Sequence, residues 1–236
     1  MKKIWPILIA LVLLAAGLLF ALRPKAPEQE TLPVTIADPA PELAQAHELN
    51  GDTKAWLSIP GTGIDLPVQH AADNDYYLRR NAEGKPDEKG CVFADYECDL
   101  SVKNLSRNLI FYGHTFDGDD TTGFAPLHQY RAAEFGSNHP YIYVSLENAM
   151  LTYQVFSTGV CDAAEDADCI IADPDTADFQ IVLDKAMERC PFNSGVTADV
   201  DDHILTLSTC TNSPSKRYLV VAKLVDYVEY EGQEAP

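Results

Sequence analysis

The sequence predicts a mostly β domain, a β-barrel with helical insertions, and three observations carry that expectation. Short strand-prone segments recur along the chain, separated by Gly, Pro and Asp-rich turns. Only one long stretch shows clear helical periodicity. No internal repeat is present that would point to a solenoid or propeller.

The chain has 236 residues, 46% hydrophobic and 22% charged, with a formal net charge of -19. That length holds one domain with a proper core and leaves some chain for a tail. A surface this acidic repels phosphate, which argues against a nucleic-acid partner. It suits a soluble outer domain and a cationic or amine-bearing substrate. Lys2 and Lys3 precede an uncharged run from Ile4 to Leu22, closed by Arg23, Pro24 and Lys25. As a helix rising ~1.5 Å per residue, the run matches the ~30 Å hydrocarbon thickness of a bilayer. Leu19-Phe20-Ala21-Leu22-Arg23 makes a poor cleavage site, so residues 1–23 read as an uncleaved signal anchor. The acidic remainder and the lack of a second span place the domain outside the cytoplasm. Residues 24 to about 41, rich in Pro, Ala and Glu, read as a stalk.

A short helix is expected over Glu42–Leu49, completing an extracytoplasmic segment of residues 24–50. Ala55–Ile59 and Ile64–Val68 form two strands joined by the Pro60–Gly63 turn. Asp73 caps a helix carrying Tyr76, Tyr77 and Leu78. Further strands are expected at 90–94, 108–113, 141–145, 150–158, 203–209 and 217–229. The helix lies after Asp173-Pro174, where Phe179, Val182, Leu183, Ala186, Met187 and Cys190 share a face, with Cys190 a core thiol. The folded domain spans 51–230, and 231–236 form a tail.

Six cysteines (Cys91, Cys98, Cys161, Cys169, Cys190, Cys210) are few for a disulfide scaffold, and none has the CxxC spacing of a zinc site, so no metal is expected. Cys210 ends the strand Ile204-Leu205-Thr206-Leu207-Ser208-Thr209-Cys210. With a period of two, Ile204, Thr206, Ser208 and Cys210 share one face and Leu205, Leu207 and Thr209 the other. Arg217 opens the next β-prone run, so the two strands are expected to pair antiparallel across the Thr211–Lys216 loop, with Arg217 beside Cys210. His114 ends the strand Asn108-Leu109-Ile110-Phe111-Tyr112-Gly113-His114, before the polar loop Asp117–Thr122. Thiol chemistry needs a thiolate, a proton donor for the leaving amine and a donor for the oxyanion. Cys, His and Arg at three strand ends supply them. His47, His70, His128, His139 and His203 have no comparable pattern and read as structural or surface groups.

These segments resemble the sortases, and class B in particular. Thr206-Leu207-Ser208-Thr209-Cys210 followed by Arg217 is similar to the family's TLxTC…R signature, and Tyr112-Gly113-His114 to its histidine motif. Trp56–Thr62, Asp73–Leu78, Phe124–Tyr130 and Val221–Leu224 are similar to further family segments, in the family's order. The helix before the cysteine strand resembles the one class B enzymes insert there. The resemblance implies an eight-stranded barrel and a cysteine transpeptidase that needs no cofactor. By it, Cys210 attacks the Thr carbonyl of a C-terminal sorting motif and forms a thioester. His114 protonates the departing amine and Arg217 stabilises the oxyanion. Asn74, Ser208 and Thr209 contact the peptide. The implied partners are secreted proteins bearing the motif, an amine of peptidoglycan as acceptor, and the Gram-positive cell membrane through the N-terminal helix. A pilin lysine is the alternative acceptor.

Two departures from the class B pattern stand out: Thr211-Asn212 replaces an acidic residue after the cysteine, and the loop to Arg217 is short. Asp38-Pro39 is followed by Ala40 rather than an aromatic residue, so no pilin-type lid is expected. No SHGC-type motif of an L,D-transpeptidase is present. A non-catalytic membrane-anchored binding module would have no need of Cys, His and Arg together.

Overall fold

In the computed structural model the described residues are 41–115, 123–162, 170–172, 174–189, 194–211 and 215–230. The expected anchor (1–23), the stalk before residue 41, the Asp117–Thr122 loop, Cys169, Asp173, Cys190, Asn212 and the tail lie outside them. Among the described residues no helix is long and apolar enough to cross a membrane.

The strands are β1 (Thr53–Ile59), β2 (Ile64–Gln69), β3 (Phe93–Ala94), β4 (Asn108–Gly113), β5 (Tyr141–Ser145), β6 (Ala149–Asp162), β7 (Ile204–Cys210) and β8 (Lys216–Glu229). They close into a barrel in the order β1-β2-β3-β4-β7-β8-β6-β5. This is the expected eight-stranded architecture. The β2–β3 and β4–β7 pairs are parallel, and the rest are antiparallel.

Local sequence explains the strands that build the site. In β1, Thr53, Ala55, Leu57 and Ile59 are buried while Lys54, Trp56 and Ser58 are not, the alternation of a strand with one wet face. Its turn into β2 holds Gly61 at φ 84°, where an added Cβ would sit 2.3 Å from the His139 ring. Only glycine fits there. By contrast Leu109, Ile110 and Phe111 of β4 are all buried. A parallel strand covered on both faces reads as such a continuous apolar run. Asn108 at its start is buried and paired: Thr206 Oγ1 donates to its Oδ1 at 2.8 Å, and its Nδ2 donates to Ile171 O at 2.8 Å.

Two hydrophobic clusters result. Leu57, Leu109, Phe111, Val144, Leu205, Leu207 and Val220 help fill the barrel interior. On its outer side, Phe156, Cys161, Ile204, Leu219 and Val221 meet Phe179, Val182, Leu183 and Ala186 of helix α3 (Thr176–Glu188). The two faces expected for β7 are thus the barrel face and the helix-covered face. The other helices are α1 (Pro41–Leu49) and α2 (Ala133–Asn138).

Four local expectations are corrected. Helix α3 is capped by Asp175, whose Oδ1 accepts from Ala177 N and Asp178 N at 2.8 and 3.0 Å, rather than opened by Asp173-Pro174. Met187 is 41% exposed, off the packed face. Residues 76–79 form a 3-10 turn, although Asp73 does cap its start by accepting from Asp75 N and Tyr76 N. The 90–94 strand shrinks to Phe93–Ala94, because Cys91 N donates to Tyr77 O and ties the preceding residues to that turn.

Candidate active site

Three strand ends converge on one cleft of about 470 Å³, lined by Asn74, Asp75, Leu78, Phe93, Tyr112, Gly113, His114, Ser208, Thr209, Cys210 and Arg217. The register explains the convergence. Strand β4 runs parallel to β7 with Gly113 opposite Thr209, so both chains leave the barrel at the same end. His114 and Cys210 are the next residues on each. Strand β8 returns antiparallel, and its Arg217 lies directly opposite Cys210. Cys210 is partly exposed and carries a free thiol.

His114 is anchored from outside the barrel. Its Nε2 lies 3.0 Å from Leu78 O on the 3-10 turn. A carbonyl only accepts, so Nε2 carries the hydrogen and Nδ1 is the nitrogen that can exchange a proton with the cleft. The turn approaches this closely because Gly90 has no side chain. At φ 62° an added Cβ would sit 2.8 Å from both Leu78 O and Tyr77 O and 3.0 Å from His114 Cδ2. Gly90→Ala therefore adds a left-handed strain of roughly 1–2 kcal/mol and displaces the carbonyl that orients His114. The expected result is a lower melting temperature and a loss of about tenfold or more in turnover, checked by thermal unfolding and steady-state kinetics.

Arg217 Nη1 donates to Lys216 O at 3.0 Å, which fixes one side of the guanidinium. Thr209 lines the cleft, but its hydroxyl is engaged: it donates to Gly113 O at 2.7 Å and lies 2.6 Å from Thr115 Oγ1. Thr209 therefore clamps the end of β7 to the end of β4 and holds Cys210 and His114 in register. Ser208 is the reverse case. It is 2% exposed, and its Oγ has no hydrogen-bond partner among the described residues. A buried hydroxyl left so costs about 1–3 kcal/mol. Asn74 also faces the cleft; its Nδ2 donates to Asp95 Oδ2 at 2.9 Å, and its Oδ1 accepts from Tyr96 N at 3.0 Å.

Cys91 is a free thiol close to this region, and it differs chemically from a reactive one. Burial, and secondarily the Asp87 charge, push it up to about 12, so it stays protonated near neutral pH.

Sequence reasoning overlooked Gly90, the Leu78 carbonyl and Asp95. The sign that marks Asp95 is an acid placed directly after the apolar strand pair Phe93-Ala94, where a solvated turn residue is the ordinary reading.

Comparison with known proteins identifies the family. Residues 57–225 match the sortase domain family model. The chain is 34% identical over 188 residues to Sortase B of Listeria monocytogenes, covering 78% of this chain and 74% of that one. It is 32% identical over 188 residues to Sortase B of Staphylococcus aureus, covering 78% and 75%. A solved Staphylococcus aureus sortase B-substrate complex superposes with a TM-score of 0.70 at 31% identity, covering 80% of this chain and 87% of that one. A closed mixed barrel, a thiol, an imidazole and a guanidinium on one cleft, and a family match along most of the chain agree: the chain belongs to the sortase family, as a cysteine transpeptidase of the sortase B type.

Proposed function

We propose that the enzyme cleaves a C-terminal sorting motif after its Thr, holds the acyl part as a thioester on Cys210, and transfers it to an amine of cell-wall peptidoglycan. The observation that carries this reading is the pairing of Cys210 with Arg217 across β7–β8, with His114 at the neighbouring end of β4.

The Cys210 thiolate adds to the Thr carbonyl carbon. The carbonyl oxygen gains the negative charge, and the Arg217 guanidinium donates to it. When the C–N bond breaks, protonated His114 gives its proton to the leaving amine and the thioester remains. An incoming amine then attacks the thioester, His114 takes the amine proton, and Cys210 leaves as thiolate. Water competes with the amine at each turnover, so slow hydrolysis accompanies transfer unless the site positions the acceptor. Asn74, with a second Nδ2 hydrogen, and Ser208, as part of the cleft wall, are the groups that hold the peptide. Thr209 contributes its backbone and its place in the cleft wall. The Staphylococcus aureus sortase B solved as a substrate complex supports reading this chain as an enzyme that binds a substrate.

The domain works at the outer face of a Gram-positive cell membrane, tethered by residues 1–23. The charge-flanked apolar run supports that placement. Incubating the soluble domain with a panel of sorting peptides and candidate amines, with products read by mass, tests the whole reading. The panel includes peptidoglycan stem amines and a lysine side chain. A thioester adduct at Cys210 and an amide to the peptidoglycan amine are expected. No cleavage of any peptide would end the proposal, and transfer to the lysine alone would move the enzyme to pilus assembly.

A further inference from the structure

We propose that Asp95 is a positioning residue: through Asn74 and Tyr112 it fixes the carboxamide that the cleft presents to the peptide. This rests on the reading of the cleft as the peptide site. Asp95 follows β3 and is 5% exposed. Its Oδ2 accepts from Asn74 Nδ2 at 2.9 Å and from Tyr112 Oη at 2.8 Å, and its Oδ1 accepts from Glu97 N at 3.0 Å. Both side-chain donors belong to residues of the cleft wall. They come from separate parts of the chain, one from the loop before the 3-10 turn and one from β4.

The arrangement determines which way the Asn74 carboxamide points. An acceptor-only carboxylate on one side and the Tyr96 N–H on the other allow a single orientation, nitrogen toward Asp95 and oxygen toward Tyr96. One Nδ2 hydrogen then remains for a ligand, along a direction set by the other. A carboxylate that is nearly buried holds its donors more tightly than a neutral acceptor does. Tyr112 is drawn into the same hub. Burial first, and then the Asp95 charge and hydrogen bond, raise its phenol well above the usual tyrosine range, so it donates throughout the working pH range.

The variant Asp95→Asn keeps the shape and removes the charge, and its own amide competes as a donor. The expected result is a drop of about tenfold in kcat/KM for the sorting peptide. The rate of Cys210 alkylation by iodoacetamide should match the wild type, because it does not read the Asn74 orientation. The melting temperature should fall modestly with the lost charge-assisted bonds. In an Asn74→Ala background the same substitution should change kcat/KM by less than about threefold, since the group through which it acts is gone. The Asn74 side-chain amide, followed by NMR relaxation, should be rigid in the wild type and lose that rigidity in Asp95→Asn.

A wild-type kcat/KM in Asp95→Asn, or an equal loss with and without Asn74, would overturn the proposal. So would a loss accompanied by slower alkylation, which would make Asp95 a brace of the fold. If the wild-type enzyme turns over no peptide at all, the proposed function fails by itself. The amide relaxation still decides the positioning: loss of rigidity in Asp95→Asn supports it and no change refutes it.

Discussion

Replacing Cys210 with alanine is expected to abolish thioester trapping of a sorting peptide, with turnover falling on the order of 10⁴-fold or more. The size follows from the chemistry. Neither His114 nor Arg217 is a nucleophile that forms an acyl intermediate here, so what remains is peptide bound beside an oxyanion donor and general acid. The fold should survive, because Cys210 stands at the rim of the cleft, partly exposed, at the end of β7. Mass spectrometry of the peptide-treated protein checks the adduct, and thermal unfolding checks the fold. Cys190→Ala, at the thiol that the sequence assigns to a helix face, should trap peptide as the wild type does. An adduct of equal yield in Cys210→Ala would remove Cys210 from the mechanism.

The second large effect is expected at Arg217. Lysine keeps the charge but loses the planar fork, and one end of that fork is already used on Lys216 O. An ammonium at the same Cα cannot hold that carbonyl and face the developing oxyanion in the same geometry. Arg217→Lys should therefore lose about 10²–10³-fold in kcat, the range seen when one oxyanion donor is removed, with a smaller change in KM. Single-turnover acylation with a fluorescent peptide measures it. A wild-type acylation rate would take Arg217 out of the oxyanion role.

Much of this site was legible in the chain because its key residues sit at strand ends. The strands announce themselves by alternation, as in β1, or by unbroken apolar runs, as in β4. Once β7 and β8 are read as neighbours, the short loop between them sets Arg217 opposite Cys210. His114 is harder. Its strand pairs with β7 in parallel across a long connection, and resemblance to the sortases rather than local pattern joined the two.

What stayed illegible depends on contacts between segments far apart in the chain. Asp95 looks like a solvated turn residue until Asn74 and Tyr112 arrive on either side of it. Gly90 reads as the first residue of an expected strand until its φ of 62° and the Leu78 carbonyl and His114 ring against it are seen. The β3 strand was overdrawn because residues just before it bond the 3-10 turn instead of a sheet neighbour. Strand β6 runs on to Asp162, past its expected end, because β8 pairs with it along that whole length. Thr209 and Ser208 are adjacent and chemically alike, yet one hydroxyl is bound to Gly113 O and the other is unpartnered among the described residues. Alternation assigns them to opposite faces but does not say which neighbour each finds.

The parallel seam between β4 and β7 also governs when the enzyme becomes an enzyme. The hydrogen bond from Thr209 to Gly113 that seals it joins residues 96 apart in the chain. Contacts of such separation form slowly, because the loop entropy is lost before the pairing is gained. Until that seam forms, Cys210 has no imidazole held near it, even where the β7–β8 hairpin already sets Arg217 opposite it. A chain that is still finding its shape thus lacks the imidazole that its nucleophile needs. In refolding experiments, recovery of acyl transfer should track closure of the seam and trail the burial of the helix-covered outer core.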